Sequence, residues 1–333
     1  MDNDSNVLQM IKTLNDTANG YKQSILLLTA NKCGLFMLIN DEALGISAIA
    51  DNLNWDQHAA EIFLNALTAM GFLQKQQDCY SNTEISKLLL IKGAENYQGD
   101  ILMHSLHLWE SWGRVAETLV SGKPNRDPKV PRSPERWRAF IDGMSNIAKI
   151  SAVRLWDEIM LVNQAKLIDI GGGPGTYCYE LCERLPEIEC VVFDLPEVKE
   201  LFAEHRARAG MENRVSFHVG NVHTDPLPDG CDAALLSNVI HSWSEEQNIA
   251  VLKKLDEALP AGSLILIKDF FISEDGTDPL FSALFAINML IGTEAGGCYS
   301  RSKVETWLQE TAFVPMDFIQ LTEQAGVLVA AKE

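Results

Sequence analysis

Positive charge is scarce in this chain of 333 residues. Lys and Arg number 27 against 46 Asp and Glu, giving a net charge of −19 and a pI near 4.7. Such a surface repels phosphate backbones, so no nucleic-acid partner is expected. Apolar runs long enough to span a bilayer are lacking, so no membrane partner is expected either. The opening Met-Asp-Asn-Asp-Ser has neither the basic nor the apolar region of a signal peptide. Cysteine is sparse, with seven scattered residues. That odd number fits a reducing, cytoplasmic setting better than a disulfide framework. Cys178 and Cys182 lie one helical turn apart, but no second Cys/His pair completes a zinc spacing. They read as helix packing, and no metal site is expected. Internal repeats and low-complexity tracts are also missing. What remains is 47% apolar and 22% charged, the balance of a globular protein long enough for two domains.

The pattern changes near residue 150. Beyond it, short apolar strands alternate with helical segments. The strands are Lys166–Ile170, Glu189–Phe193, Val215–Val219, Ala233–Ser237, Leu264–Phe270, Phe313–Gln320 and Val327–Ala331. This alternation predicts an α/β fold with a mostly parallel, doubly wound sheet. The last two runs, joined by Leu321–Gly326, predict an antiparallel end. The N-terminal part reads as helical. Residues 7–39 carry apolar positions at helical spacing, with a break expected near Gly20. Gly45–Leu53, a turn, Ala59–Met70 and a polar hairpin around Gln76–Asp78 read as helix, turn, helix and wing. A winged helix often reads DNA, but the second helix, from Asp56, carries no Lys or Arg. It would grip phosphates and base edges poorly. Residues 123–136 hold four prolines and predict an irregular connection to a helix from Trp137 onward.

The most informative stretch is Leu-Ile-Asp-Ile-Gly-Gly-Gly-Pro-Gly-Thr at 167–176, with four glycines in five positions. An apolar run, Ala165–Ile170, precedes it, and Tyr177–Leu185 has apolar residues at helical spacing. Strand, glycine turn and helix present backbone N–H groups and a helix N-terminus to a nucleotide-like ligand. The dinucleotide fingerprint needs glycine at the sixth position from Gly171, where Thr176 stands. A phosphate loop needs Gly-Lys-Ser/Thr, and no lysine is present. Asp194 closes the next apolar run, 19 residues beyond Gly175, about where a carboxylate grips ribose hydroxyls. Loop and acid together resemble the S-adenosylmethionine (SAM) loop of class I methyltransferases.

A second stretch, Leu-Leu-Ser-Asn-Val-Ile-His-Ser-Trp-Ser-Glu-Glu-Gln from Leu235, ends the fourth strand. It opens a helix capped by Ser244 with Gln247 three residues on. His241 therefore falls just past the C-terminal edge of the sheet, where ligands bind in open α/β folds. A histidine there can accept a proton at neutral pH. Asp269 ends the fifth apolar run at the same edge. It is placed to fix the tautomer of His241 and to stabilise the imidazolium.

The chain resembles the SAM-dependent O-methyltransferases of the plant caffeate, hydroxyindole and bacterial antibiotic type, which carry a winged-helix dimerisation domain in front. The resemblance rests on Asp169–Gly175, Phe193-Asp-Leu-Pro, Gly220-Asn-Val, Ile240-His-Ser-Trp, Gly296-Gly and Gly143-Met-Ser. It implies His241 as base and Asp269 as its partner acid. It further implies a SAM site built from Asp169, Gly171, Gly173, Gly175, Asp194, Leu195, Asn221, Val222, Ser237 and Trp243. Some positions depart from the family pattern. Asn221 replaces an aspartate, Ser242 stands inside the His-Asp-Trp motif, and Tyr299 stands where a second glutamate is usual. Glu294 is the alternative for that last role. The domain reading is 1–100 for winged-helix dimerisation, 101–150 for a helical bridge, and 151–333 for the SAM-binding domain.

The acceptor wall is expected from Trp109, Trp112, Phe140, Met144, Phe285 and Met289, because aromatic and Met side chains suit a flat apolar substrate. Phe140 and Met144 sit one helical turn apart. The expected reaction is metal-independent methyl transfer from SAM to a hydroxyl of a small aromatic acceptor. Two rivals are kept. One is N- or C-methylation of an aromatic or tetrapyrrole-like acceptor. The other is a SAM-sensing winged-helix DNA regulator.

Overall fold

Two compact units divide the chain, residues 1–107 and 108–333. The computed structural model describes residues 2–125 and 133–333. Of the expected irregular connection at 123–136, residues 126–132 lie outside the described residues.

The first unit runs α1 (Asp2–Lys32), α2 (Leu35–Ile39), β1 (Ala43–Gly45), α3 (Ile46–Leu53), α4 (Gln57–Ala69), β2 (Leu73–Gln76), β3 (Cys79–Asn82) and α5 (Glu84–Leu89), then enters α6 (Gly99–Gly113). The break expected at Gly20 does not occur, since α1 passes through it without interruption. A single glycine costs a helix only about 1 kcal/mol. The helical path stops instead at Gly34, whose φ of +71° is left-handed, a conformation that glycine adopts without penalty. Helix, turn, helix and hairpin follow as read. The sequence reading omitted β1, which pairs antiparallel with β3. Its three residues are too few to show a period. Phe36, Ile39, Ile49, Leu64, Leu67 and Tyr80 form the core of this unit. The N-terminal half of α1 leaves Val7, Leu8, Met10, Ile11 and Leu14 exposed.

The second unit continues with α7 (Val115–Ser121) and α8 (Pro134–Glu158). Ser133 caps α8 and Pro134 opens it, so this helix starts three residues before the expected Trp137. Proline suits a first helical position, where its missing N–H is no loss. Then come β4 (Lys166–Ile170), α9 (Thr176–Arg184), β5 (Glu189–Asp194), α10 (Lys199–Ala209), β6 (Val215–Val219), β7 (Ala233–Ser237), α11 (Glu245–Ala258), β8 (Leu264–Asp269), α12 (Leu280–Gly292), α13 (Arg301–Leu308), β9 (Phe313–Gln320) and β10 (Gly326–Lys332). The seven strands order as β6-β5-β4-β7-β8-β10-β9. Strands β4 to β8 pair in parallel, and β10 pairs antiparallel with both β8 and β9. Strand order reverses between β4 and β7, and open α/β sheets bind ligands outside such a switch point.

Candidate active site

The glycine loop connects β4 to α9. Gly171, Gly173 and Gly175 all have left-handed φ, at +65°, +54° and +82°. Gly172 is needed for room, because a Cβ there would meet the Asp169 carboxyl at 2.5 Å. The Gly173 N–H donates to Asp194 Oδ2 at 2.8 Å, and the Leu195 N–H donates to Asp194 Oδ1 at 2.7 Å. Asp194 is therefore fixed at the mouth of the loop. Burial pushes its carboxyl up, against the pull of those two N–H groups.

Asp169 is fully buried under the loop. Burial raises its carboxyl from 3.8 to about 8, although the Cys178 thiol donates to it. The Cys178 and Cys182 side chains are packed in the core of this unit, as helix packing requires.

Above the loop lies a cavity of about 490 Å³, within the range of small-molecule sites. Of the residues expected to hold the donor, Asp169, Gly171, Gly173, Asp194, Leu195, Asn221, Val222, Ser237 and Trp243 line it. Gly175 is absent from the wall and serves as the N-cap of α9. Phe140 and Met144, expected on the acceptor side, line this same cavity beside the glycine loop. The sequence reading missed His223 and Asn238, which also line it. His223 meets the Trp243 ring edge-on at 4.9 Å. Burial, helped by Lys254, holds its imidazole below the ordinary histidine value. Counting two residues past Asn221 would have found it.

The residues of this cavity fit SAM. Asp169 Oδ1, the Tyr177 hydroxyl and Ser237 Oγ are buried without partners, and all three residues belong to the wall. Unpaired buried polar atoms are costly, and a ligand with an ammonium, a carboxylate and ribose hydroxyls would satisfy them. The Asp194 carboxyl also suits a ligand that carries a positive charge.

His241 sits in a short 3₁₀ turn, Ile240–Ser242, between β7 and α11. The capping box of Ser244 and Gln247 opens α11 as read. His241 is 7% exposed, and its Nδ1 lies 2.7 Å from Asp269 Oδ1. The Phe270 N–H also donates to Asp269 Oδ1, at 2.7 Å, and holds that carboxylate in place. An acceptor carboxylate at Nδ1 puts the ring proton there and leaves Nε2 as the basic nitrogen. The Phe285 ring stands edge-on to the imidazole at 4.8 Å. Phe270 stacks near-parallel to the imidazole at 6.1 Å and meets the Phe285 ring at 4.8 Å. His241 itself is not part of the cavity wall, whereas its neighbours Val239 and Ser242 are.

The other expected residues scatter. Trp112 Nε1 donates to Asn288 Oδ1 on α12 at 3.1 Å, and Met289 is buried on the same helix. Trp109 is exposed. The Tyr299 hydroxyl donates to the Trp243 carbonyl, and burial raises it to about 12. Glu294 is exposed and has no hydrogen-bond partner among the described residues. Neither Tyr299 nor Glu294 bonds to His241.

Two family models match the chain. An O-methyltransferase domain matches residues 128–313, and an O-methyltransferase dimerisation domain matches residues 15–92. A 3-hydroxy-5-methyl-1-naphthoate 3-O-methyltransferase of Streptomyces sahachiroi is 31% identical over 89% of this chain and 88% of its own. The N,N-dimethyltransferase OxyT of Streptomyces rimosus is 30% identical over 80% of this chain and 79% of its own. Human N-acetylserotonin methyltransferase, solved in complex with SAM, shares the fold with a TM-score of 0.89. It is 24% identical and covers 97% of this chain and 98% of that one. The chain belongs to the O-methyltransferase family, a family of SAM-dependent enzymes.

Proposed function

We propose that the chain methylates a hydroxyl of a small aromatic acceptor, with SAM as donor, His241 as general base and no metal ion. One observation carries this reading: the buried His241 Nδ1–Asp269 Oδ1 pair at 2.7 Å, beside the Phe285 ring. Bound in the glycine-loop cavity, SAM supplies an electrophilic methyl group. Asp194 is positioned for ribose hydroxyls, and the N–H of Gly173 holds that carboxylate in place. Asp269 keeps the His241 proton on Nδ1, so Nε2 accepts the acceptor's hydroxyl proton, and Asp269 stabilises the resulting imidazolium. Removing a phenol proton to histidine in advance costs roughly 5 kcal/mol from the ordinary values of the two groups. Proton removal is therefore concerted with methyl transfer or helped by a nearby charge, and aligning the partners supplies much of the rate. Phe285 and Phe270 exclude water from the ring and offer an apolar face to a flat acceptor.

The naphthoate methyltransferase relative supports a fused-ring phenol. The N,N-dimethyltransferase relative gives methylation of nitrogen as a second reading. The regulator alternative finds no footing in α4, since Gln57–Ala69 include no Lys or Arg. Turnover of SAM against a panel of phenols, hydroxyquinones and aromatic amines decides between oxygen and nitrogen. Mass spectrometry of the product locates the methyl group. Wild type should bind about one SAM per chain and Gly173→Arg none. A wild type without affinity for SAM or S-adenosylhomocysteine refutes the donor assignment.

A further inference from the structure

The backbone that carries His241 is a 3₁₀ turn of three residues, Ile240–Ser242. Its closing bond, from the Trp243 N–H to the Ile240 carbonyl, is long at 3.3 Å. One side chain of α11 reaches back to this turn. Asn248 Nδ2 donates to the carbonyls of Ile240 and Ser244 at 3.0 Å each, and lies 3.4 Å from the Trp243 carbonyl. The Trp243 carbonyl also accepts from the Tyr299 hydroxyl. Carbonyls on both sides of the base are therefore held by two side chains from outside the turn.

Asn248 is 1% exposed. It lies on the face of α11 that otherwise buries Val251, Leu252 and Leu255. An apolar residue would suit that face, and asparagine is a weak helix former. Its Oδ1 is buried with no hydrogen-bond partner among the described residues, which costs further stability. The hold of Nδ2 on the Ile240 and Ser244 carbonyls is what sets against that loss. Tyr299 is itself fixed, with its ring edge-on to Trp307 at 4.7 Å. It stands where the family resemblance implies a glutamate beside the base, yet its hydroxyl goes to the backbone of the turn.

We propose that Asn248 and Tyr299 are positioning residues that brace the His241 turn and aim the base. This deepens the reading of His241 as base and rests on it. Asp269 fixes the imidazole through Nδ1 at 2.7 Å, but any shift of the turn carries Nε2 with it. Neither Asn248 nor Tyr299 bonds to the imidazole, and both act through the backbone that bears it.

The test uses the full chain and two variants, Asn248→Ala and Tyr299→Phe, with two readouts. The first is the proton NMR spectrum without any acceptor. The proton between His241 Nδ1 and Asp269 should resonate far downfield, and His241→Gln should abolish the signal. Both variants should shift that resonance or broaden it by exchange with water. The second readout is single-turnover methylation of the phenol that reacts fastest in the panel. Each variant should lower the rate by roughly 10- to 100-fold, with affinity for S-adenosylhomocysteine unchanged. In the His241→Gln background neither should lower the rate further, since residues acting through one group are not additive. An unchanged resonance and an unchanged rate per folded molecule would overturn the inference, even if the variants melt earlier. So would a full additional loss in the His241→Gln background. Both results leave the base reading standing. A wild type that lacks the resonance, or a His241→Gln variant at full rate, removes the base reading and this inference together. Should Asn248→Ala fail to fold, Tyr299→Phe decides alone, because it keeps the ring against Trp307. If no phenol of the panel reacts, the resonance decides.

Discussion

A Cβ on Gly296 would stand 2.4 Å from the carbonyl oxygen of His241. That oxygen also accepts the N–H of Gly297 at 2.8 Å. The glycine pair after α12 thus rests directly on the backbone of the turn that carries the proposed base. Close approach of two backbones explains why glycine stands at 296. Gly296→Ala should push the His241 turn aside. We expect a turnover rate lower by roughly 10- to 100-fold, since displacing a reacting group by about 1 Å costs that much. Affinity for S-adenosylhomocysteine should hold. Single-turnover kinetics beside a binding titration measures both, and an unchanged rate would show that the glycine pair does not position His241.

Replacing the base itself should be more severe. His241→Gln is expected to keep donor affinity and to lower turnover by roughly 10²- to 10⁴-fold. Asp269→Asn should do less damage, because it removes orientation and leaves the base. If His241→Gln retained most of its activity, the proton would have to go elsewhere, with Tyr299 and Glu294 as the next candidates.

Asp169 makes a prediction for the ligand-free protein. Its carboxyl is raised by burial from 3.8 to about 8, so the folded chain keeps a proton that the unfolded chain releases. Across that window the folded state binds more protons, and this contribution to stability falls as pH rises, then levels off above about 8. Asp169→Asn should flatten that part of the slope. Urea unfolding of both proteins across the window measures it, and parallel slopes would contradict the assignment.

Metal independence is open to direct measurement. Dialysis against EDTA should leave turnover unchanged, and added magnesium should not raise it. Loss of activity on chelation, with recovery on adding a divalent cation, would require a metal in the reaction.

The exposed Val7, Leu8, Met10, Ile11 and Leu14 on α1 form an apolar surface of the kind that marks an interface. They flank a dimerisation-domain match at residues 15–92. Light scattering should give twice the 37.0 kDa chain mass, and Leu8→Glu with Leu14→Glu should shift it toward the monomer. A wild-type monomer at micromolar concentration would refute the homodimer.

Much of the fold was legible because its signals are local. Apolar runs marked all seven strands of the main sheet, and the spacing of Gly171, Gly173 and Gly175 marked a loop whose left-handed φ values glycine adopts without penalty. Both Asp269 and His241 could be placed because each closes or follows a strand, and parallel strands deliver their ends to one edge. Gly20 misled for the same reason: a local breaker signal carries no information on how well the rest of a helix holds. Side-chain meetings between distant segments depended on the tertiary structure. Phe140 and Met144 line the glycine-loop cavity, while Phe285 packs against His241; hydrophobic periodicity marks all three as apolar and cannot tell which wall each will join. Lys268 reads in sequence as a charge inside a strand. Only the pairing of β8 beside β7 buries it and turns it toward Asn238. Strand order and crossover decide such contacts, and they are set by packing of the whole sheet.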